Sequence, residues 1–296
     1  MASDKPVVWP YDPSFPLAVV GTVLYGIVFA WIFYLTVIRY RAWFFIVVVV
    51  GAAVEVTAYS LRGYSANNQT EIAPFVQTLT YTVLAPVLVA AGNYLLIGRL
   101  IRAVLPPSHH TIYKIPARRL TRIFVICEVV AFLVQGSGSG VASAGNWTGP
   151  MQKVGTNILI GGLGFQVLAF GVYLCVLRRF HVLGNRLEVP EAPKGWRRLL
   201  GAVYVSSGLI LLRSLYRVIE FAEGMDGYAF RHEWLFWIFE ALPMLVAIGV
   251  FCVWHPSKYL GRDGAKSRLP KGGDGVQMER RSSYANVIGR RDRESV

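Results

Sequence analysis

The sequence predicts an all-α polytopic membrane protein with seven transmembrane helices, its N-terminus outside and its C-terminus in the cytosol. Three observations predict it. Hydrophobic residues fill 54% of the 296 positions and charged residues only 16%, against roughly 45–50% and about 25% in soluble domains. The apolar residues run in stretches of about 20, the length a helix needs to cross some 30 Å of hydrocarbon. The basic residues are shared unequally between alternate loops, which is the asymmetry that sets topology.

Taken in order, residues 1–16 hold four prolines, three charges and no apolar run. They are expected to form a short extracellular segment and not a cleavable signal peptide, leaving the first span as an uncleaved anchor. The spans themselves are expected at 17–38, 43–61, 73–97, 122–141, 155–177, 199–219 and 233–254. Pro86 and Pro243 fall inside the third and seventh, where neighbouring helices satisfy the carbonyls that proline frees, and kinks are expected there. Glu128 interrupts the fourth span, and Arg213 and Arg217 the sixth. The run Gly136-Ser137-Gly138-Ser139-Gly140 reads as a helix end or a site of close helix packing. The transmembrane domain thus covers 17–260. Beyond it, residues 261–296 are rich in Gly, Ser, Arg and Lys and are expected to be a disordered, basic cytosolic tail. Arg280-Arg281-Ser282-Ser283 resembles a basophilic kinase site, although a solvated basic tail is the plainer reading.

Lys and Arg number 30. One side receives Arg39 and Arg41, six more in 99–122, six in 178–198, and every one from Lys258 onward. The other side receives only Lys5, Arg62, Lys153 and Arg231. The heavy side is therefore expected in the cytosol. The two glycosylation sequons, at Asn68 and Asn146, both fall in loops that this orientation places outside, where glycosylation occurs. The net charge of +13 does not imply nucleic-acid binding, because the basic residues lie in separate loops and the tail. They are placed to meet anionic lipid headgroups.

Ionisable residues within the hydrocarbon need a reason. Counting about 1.5 Å per residue, Glu55, Arg213 and Glu240 share one level in the outer half of the bilayer, with Gln77 and Gln135 close to it and Tyr59 and Arg62 just above. Arg213, Arg217 and Glu220 stand on one helix face at i, i+4 and i+7. This layer has two readings that are compatible. It is a binding site for an amphipathic molecule with a polar head, or a set of buried ion pairs, Arg213 with Glu240 first among them, that fixes helix register.

Other chemistries are disfavoured. All seven lysines lie outside the expected spans, so a retinal Schiff base is not available. The histidines sit at or beyond span ends on both sides, which argues against one intramembrane metal centre and weakens a lipid hydrolase reading. No phosphate-binding loop appears, and the three cysteines, Cys127, Cys175 and Cys252, read as packing residues. No cofactor and no metal are expected.

The same residues resemble the fungal lipid-translocating exporter family, the seven-span group of 7-aminocholesterol-resistance-like and sphingoid long-chain-base exporter-like proteins. Glu55, Tyr59 and Arg62 look like that family's Glu-Gly-Tyr-Arg signature, with Ala58 where Gly is usual. Gln77, Leu84-Ala85-Pro86, Ala90-Ala91, Tyr94 and Gly98-Arg99 match in the third span. Phe124, Gln135 and Gly138–Gly140 match in the fourth, where Glu128 replaces Asp, and Gly162-Leu163 and Gln166 in the fifth. The densest match is Leu209 through Glu220, followed by Gly224, His232-Glu233-Trp234, Pro243-Met244 and His255-Pro256, with Glu240 again for Asp. The resemblance runs from about residue 17 to 260.

It implies a plasma-membrane protein, with an internal membrane as the other location, that exports an amphipathic lipid such as a sphingoid base, or a lipophilic toxic compound, and so contributes to resistance. It does not imply an enzyme. Glu55, Tyr59, Arg62, Arg213, Arg217, Glu220 and Glu240 are the expected headgroup site, with Gln77, Gln135 and Gln166 as neutral hydrogen-bond partners. The expected partners are membrane lipids and a lipophilic small molecule. The alternative is a seven-span lipid sensor or receptor with the same topology.

Overall fold

The computed structural model describes residues 13–106, 110–112, 115–144, 149–187, 192–193, 195–224 and 227–260. Most of the expected extracellular segment (1–12), the expected tail at 261–296 and the Asn146 sequon lie outside them. Among the described residues, seven helices are long and apolar enough to cross a membrane. They are Phe15–Arg39, Trp43–Asn67, Ala73–Val104, Arg119–Ala144, Gly149–Leu187, Trp196–Glu223 and Glu233–Leu260, called spans one to seven below. The chain is an integral, multi-pass membrane protein.

Each helix contains the stretch that hydropathy predicts, and nearly all run on past it. Hydropathy marks the hydrocarbon thickness, whereas a helix continues for as long as its backbone stays paired. Span five, with 39 residues, is roughly 58 Å long, nearly twice the hydrocarbon core. Lys153 and Lys258 consequently fall near the ends of helices and not in loops.

Consecutive spans pack side by side, and span one closes the ring against span seven. Span three also touches spans five and six, so it crosses the middle of the bundle. The burial follows from this: 78% of the most apolar stretch of span three is inside, against 22% for span one. The outer surface is apolar, with Ile27, Leu133, Leu168 and Val253 all well exposed. Such a surface is stable against lipid tails and would be an aggregation site in water. Between spans three and four, Thr111–Ile112 and Ile115–Pro116 form a short antiparallel pair. A helical turn, Tyr228–Arg231, precedes span seven.

Both ends of the ring are pinned by polar contacts. At the end rich in Lys and Arg, His255 of span seven stacks on Tyr40 at 4.9 Å and meets Thr36 of span one at 3.1 Å. Arg99 lies over the Phe44 ring at 3.9 Å. At the opposite end Glu233 accepts from Arg62 at 2.9 Å, from the Ser14 backbone at 2.9 Å and from Trp237 at 3.2 Å. One carboxylate thereby ties spans two and seven to the start of span one.

Spans four and five bring their backbones close together. A Cβ added to Gly138 would stand 2.8 Å from Gly155 O and Leu159 N, and one on Gly155 would stand 2.6 Å from Ala142 N and Gly138 O. Gly136 and Gly140 face open space, so close packing accounts for Gly138 of the glycine-serine run. The atoms in the way are backbone, which cannot step aside. Gly155→Val is therefore expected to destabilise the bundle by about 1–3 kcal/mol, read as a lower thermal midpoint of the purified protein in detergent. An unchanged midpoint would mean that these two helices stand farther apart.

Candidate functional site

The two intramembrane prolines shape the site. Proline lacks the N–H that would bond the carbonyl four residues back, and its ring crowds that carbonyl. For Pro86 that carbonyl belongs to Thr82, and the Arg213 guanidinium donates to it from span six. For Pro243 it belongs to Phe239, inside a π-helical turn at Trp237–Ala241. The widened turn relieves the ring, and such turns recur at functional sites. Tyr25 of span one donates to the Ala241 carbonyl of this turn at 2.6 Å. Glu240 sits on the turn and is directed inward, 1% exposed.

There it meets both arginines. Arg213 donates to Glu240 at 2.8 Å, and Arg217 contacts the other carboxylate oxygen at 3.4 Å and Glu220 at 2.9 Å. The Arg213–Glu240 pair that depth counting pointed to is formed. Glu55 of span two, 1% exposed, lies within electrostatic reach of Arg213 and Glu240. One of its oxygens has no hydrogen-bond partner. When all are ionised, three carboxylates face two guanidiniums, so one negative charge is left over in a low-dielectric interior. Tyr59, one turn above Glu55, stacks on Tyr25 at 4.8 Å. Arg62 reaches the Phe236 ring at 4.1 Å as well as Glu233.

A second polar system stands beside the first. Tyr94 donates to Glu128 at 2.6 Å, Gln166 donates to the other Glu128 oxygen at 2.8 Å, and Gln135 donates to Gln166 at 2.9 Å. The chain crosses from span three through span four to span five and back. Tyr94 is held by an aromatic cluster with Phe124, Phe170 and Tyr173. Asn93, on the adjacent face, donates to Ser206 of span six at 3.1 Å.

Two cavities flank Arg217. One, of about 70 Å³, runs between Phe75, Leu79, Phe132, Gln135, Arg217 and Phe230. The other, of about 30 Å³, is bordered by Arg62, Arg217, Glu220 and His232. Phe75, Leu79, Arg217 and Phe230 border both. A water needs at least about 10–15 Å³ by this measure, so the larger cavity has room for a few waters or a small polar head. A third, apolar groove of about 130 Å³ between spans one and seven ends at Tyr25 and Trp237.

The residues expected to form the headgroup site thus divide. Glu55, Tyr59, Arg213, Arg217, Glu220 and Glu240 come together. Arg62 pairs with Glu233 instead, at the edge of the smaller cavity. Gln135 and Gln166 join the Glu128 chain, and Gln135 meets Arg217 across the larger cavity. Gln77 is exposed on the outer face of span three, away from the cluster. Asn68 is half-buried at the end of span two, its amide donating to Tyr64 O at 3.1 Å. Glu128, Tyr94 and the Thr82 carbonyl were absent from the expected site. A lone carboxylate within a span signalled Glu128, and Pro86 signalled the carbonyl. Among the described residues, no group of three His, Cys, Asp or Glu side chains is placed to hold a metal.

A family model described as RTA1 like protein matches residues 48–263, a stretch that contains every ionisable residue of the cluster. Among curated relatives, Protoporphyrin uptake protein 1 of Saccharomyces cerevisiae is 33% identical over 69% of this chain and 65% of its own length. Probable lipid transporter atnI of Emericella nidulans is 29% identical over 88% and 70%. Sphingoid long-chain base transporter RSB1 of Saccharomyces cerevisiae is 25% identical over 82% and 72%. The chain spans just under two thirds of the length of the first of these. No solved structure matches.

Proposed function

Because the chain belongs to the RTA1-like family, we propose that it moves an amphipathic lipid, of the sphingoid-base kind, or a lipophilic toxic compound across the membrane. The polar head passes through the Arg213–Arg217–Glu240 cluster. The observation that carries this is Glu55: a buried carboxylate with an unpartnered oxygen, beside ion pairs that already neutralise one another. An ionisable residue buried inside a membrane protein marks a functional site by default. A cationic amine head would supply the missing charge, and the tail would remain among apolar walls.

The relatives' names support the class. One is named for lipid transport, one for sphingoid long-chain bases and one for protoporphyrin. Long-chain bases and porphyrins are both lipophilic bodies that carry ionisable groups. They differ in the sign of that charge, and the spare carboxylate favours the amine for this chain. In this reading the end rich in Lys and Arg faces the cytosol, the membrane is the plasma membrane and the product is resistance to the exported compound.

The test is release of a radiolabelled long-chain sphingoid base from cells that express the chain and from cells that lack it. Faster release with the chain is expected. Equal release removes this substrate class. Equal release together with a lost transcriptional response to the lipid would make the protein a sensor.

A further inference from the structure

The Glu128 chain has a direction, and the direction decides what the larger cavity offers a ligand. A carboxylate oxygen accepts hydrogen bonds, and Gln166 turns its NH₂ to Glu128 Oε2 at 2.8 Å. That leaves Gln166 Oε1 as an acceptor, which Gln135 fills with its own NH₂ at 2.9 Å. Gln135 Oε1 is then the free end of the chain. It is buried without a partner, on a residue that is only 3% exposed and lines the cavity. A buried acceptor left unmade costs about 1–3 kcal/mol, so the site is incomplete without a donor. The cavity also reaches the lipid side, since Thr80 and Gly136 border it and are exposed. Both lie roughly 10–12 Å from the less basic ends of their helices.

We propose that Gln135 Oε1 is the acceptor for a hydroxyl group on the amphiphile held in this cavity, and that Glu128, through Gln166, is the positioning residue that keeps that oxygen turned toward it. The donor is neutral, because Arg217 borders the same cavity and repels an ammonium there. This divides a polar head between two places: a hydroxyl at Gln135 and a charged group at the Glu55 side of the cluster. The proposal rests on the transport reading only in taking an amphiphile to occupy the cavity. It is tested by binding, without flux, so either can fail alone.

The probe is hexadecanol carrying a chain diazirine, photolysed with the purified protein in lipid nanodiscs. Labelled peptides are mapped, and labelling is competed with plain hexadecanol or hexadecyl methyl ether. Labels are expected on the peptides holding Phe75 and Phe132, with the alcohol competing about tenfold better than the ether. Gln135→Leu is expected to bring that ratio to about one. Glu128→Gln frees the relay to reverse, so Gln135 can offer NH₂ to the ether oxygen; the ratio falls while ether binding holds or improves. A merely structural loss would weaken both ligands alike. Should Glu128→Gln fail to fold, Gln166→Leu, which cuts the relay, carries the same expectation for the ratio. Labels confined to other peptides, or equal competition in the unaltered protein as for a water-filled void, overturn the proposal. A ratio unchanged when the relay is altered overturns the part assigned to Glu128.

Discussion

Replacing Glu240 with alanine is expected to remove about 3–5 kcal/mol of stability, enough to unfold most of the protein or withdraw it from the membrane. Glu240 bridges two guanidiniums on span six from its place on the π-helical turn. Without it, Arg217 keeps Glu220 at 2.9 Å, but Arg213 keeps only the Thr82 carbonyl. A buried cation with no counter-charge bonded to it is the expensive state, and Glu55 stands only within electrostatic reach of Arg213. The double change Arg213→Met with Glu240→Met removes both charges and is expected to recover most of the loss, since a buried pair contributes little beyond an apolar pair of the same volume. Thermal unfolding of the three proteins in detergent measures this. A loss below about 1 kcal/mol for Glu240→Ala would mean that the cluster is hydrated as a surface pair is.

Glu55→Gln is expected to do the opposite: leave the fold standing and slow lipid release by tenfold or more. None of the three ion pairs made by Arg213 and Arg217 uses Glu55, and one of its oxygens bonds nothing. An amide of the same shape fits the same space without the charge. If the head of the substrate is an amine, the loss of one desolvated charge partner is worth well over 1.4 kcal/mol, or a factor of ten. Equal release by Glu55→Gln and the unaltered protein, at equal surface expression, would remove Glu55 from the path.

The number, order and approximate place of the spans were legible in the sequence because the bilayer imposes a length on any helix that crosses it. Depth was legible too. A fixed rise per residue brought Arg213 and Glu240 to one level, and they are bonded. Azimuth was not. A soluble helix announces its inner face through polar residues on the outer one, but lipid is as apolar as the protein core. Gln77 shows the consequence: its level fits the polar layer, yet its side of span three looks outward. The same ambiguity hid the link from Glu128 through Gln166 to Gln135, which needs the phases of two helices at once. It hid the cavity walls as well, since Phe75 and Phe132 read like any lipid-facing aromatic. Pro86 announced a freed carbonyl but not that an arginine from another span would take it.

The most direct test of the central claim is movement of a long-chain sphingoid base between the leaflets of vesicles that contain only the purified protein. Vesicles with the unaltered chain should equilibrate the two leaflets at least tenfold faster than vesicles with Glu55→Gln or with no protein. Identical rates in all three, with the protein folded and inserted, would contradict the claim that this bundle carries such a lipid.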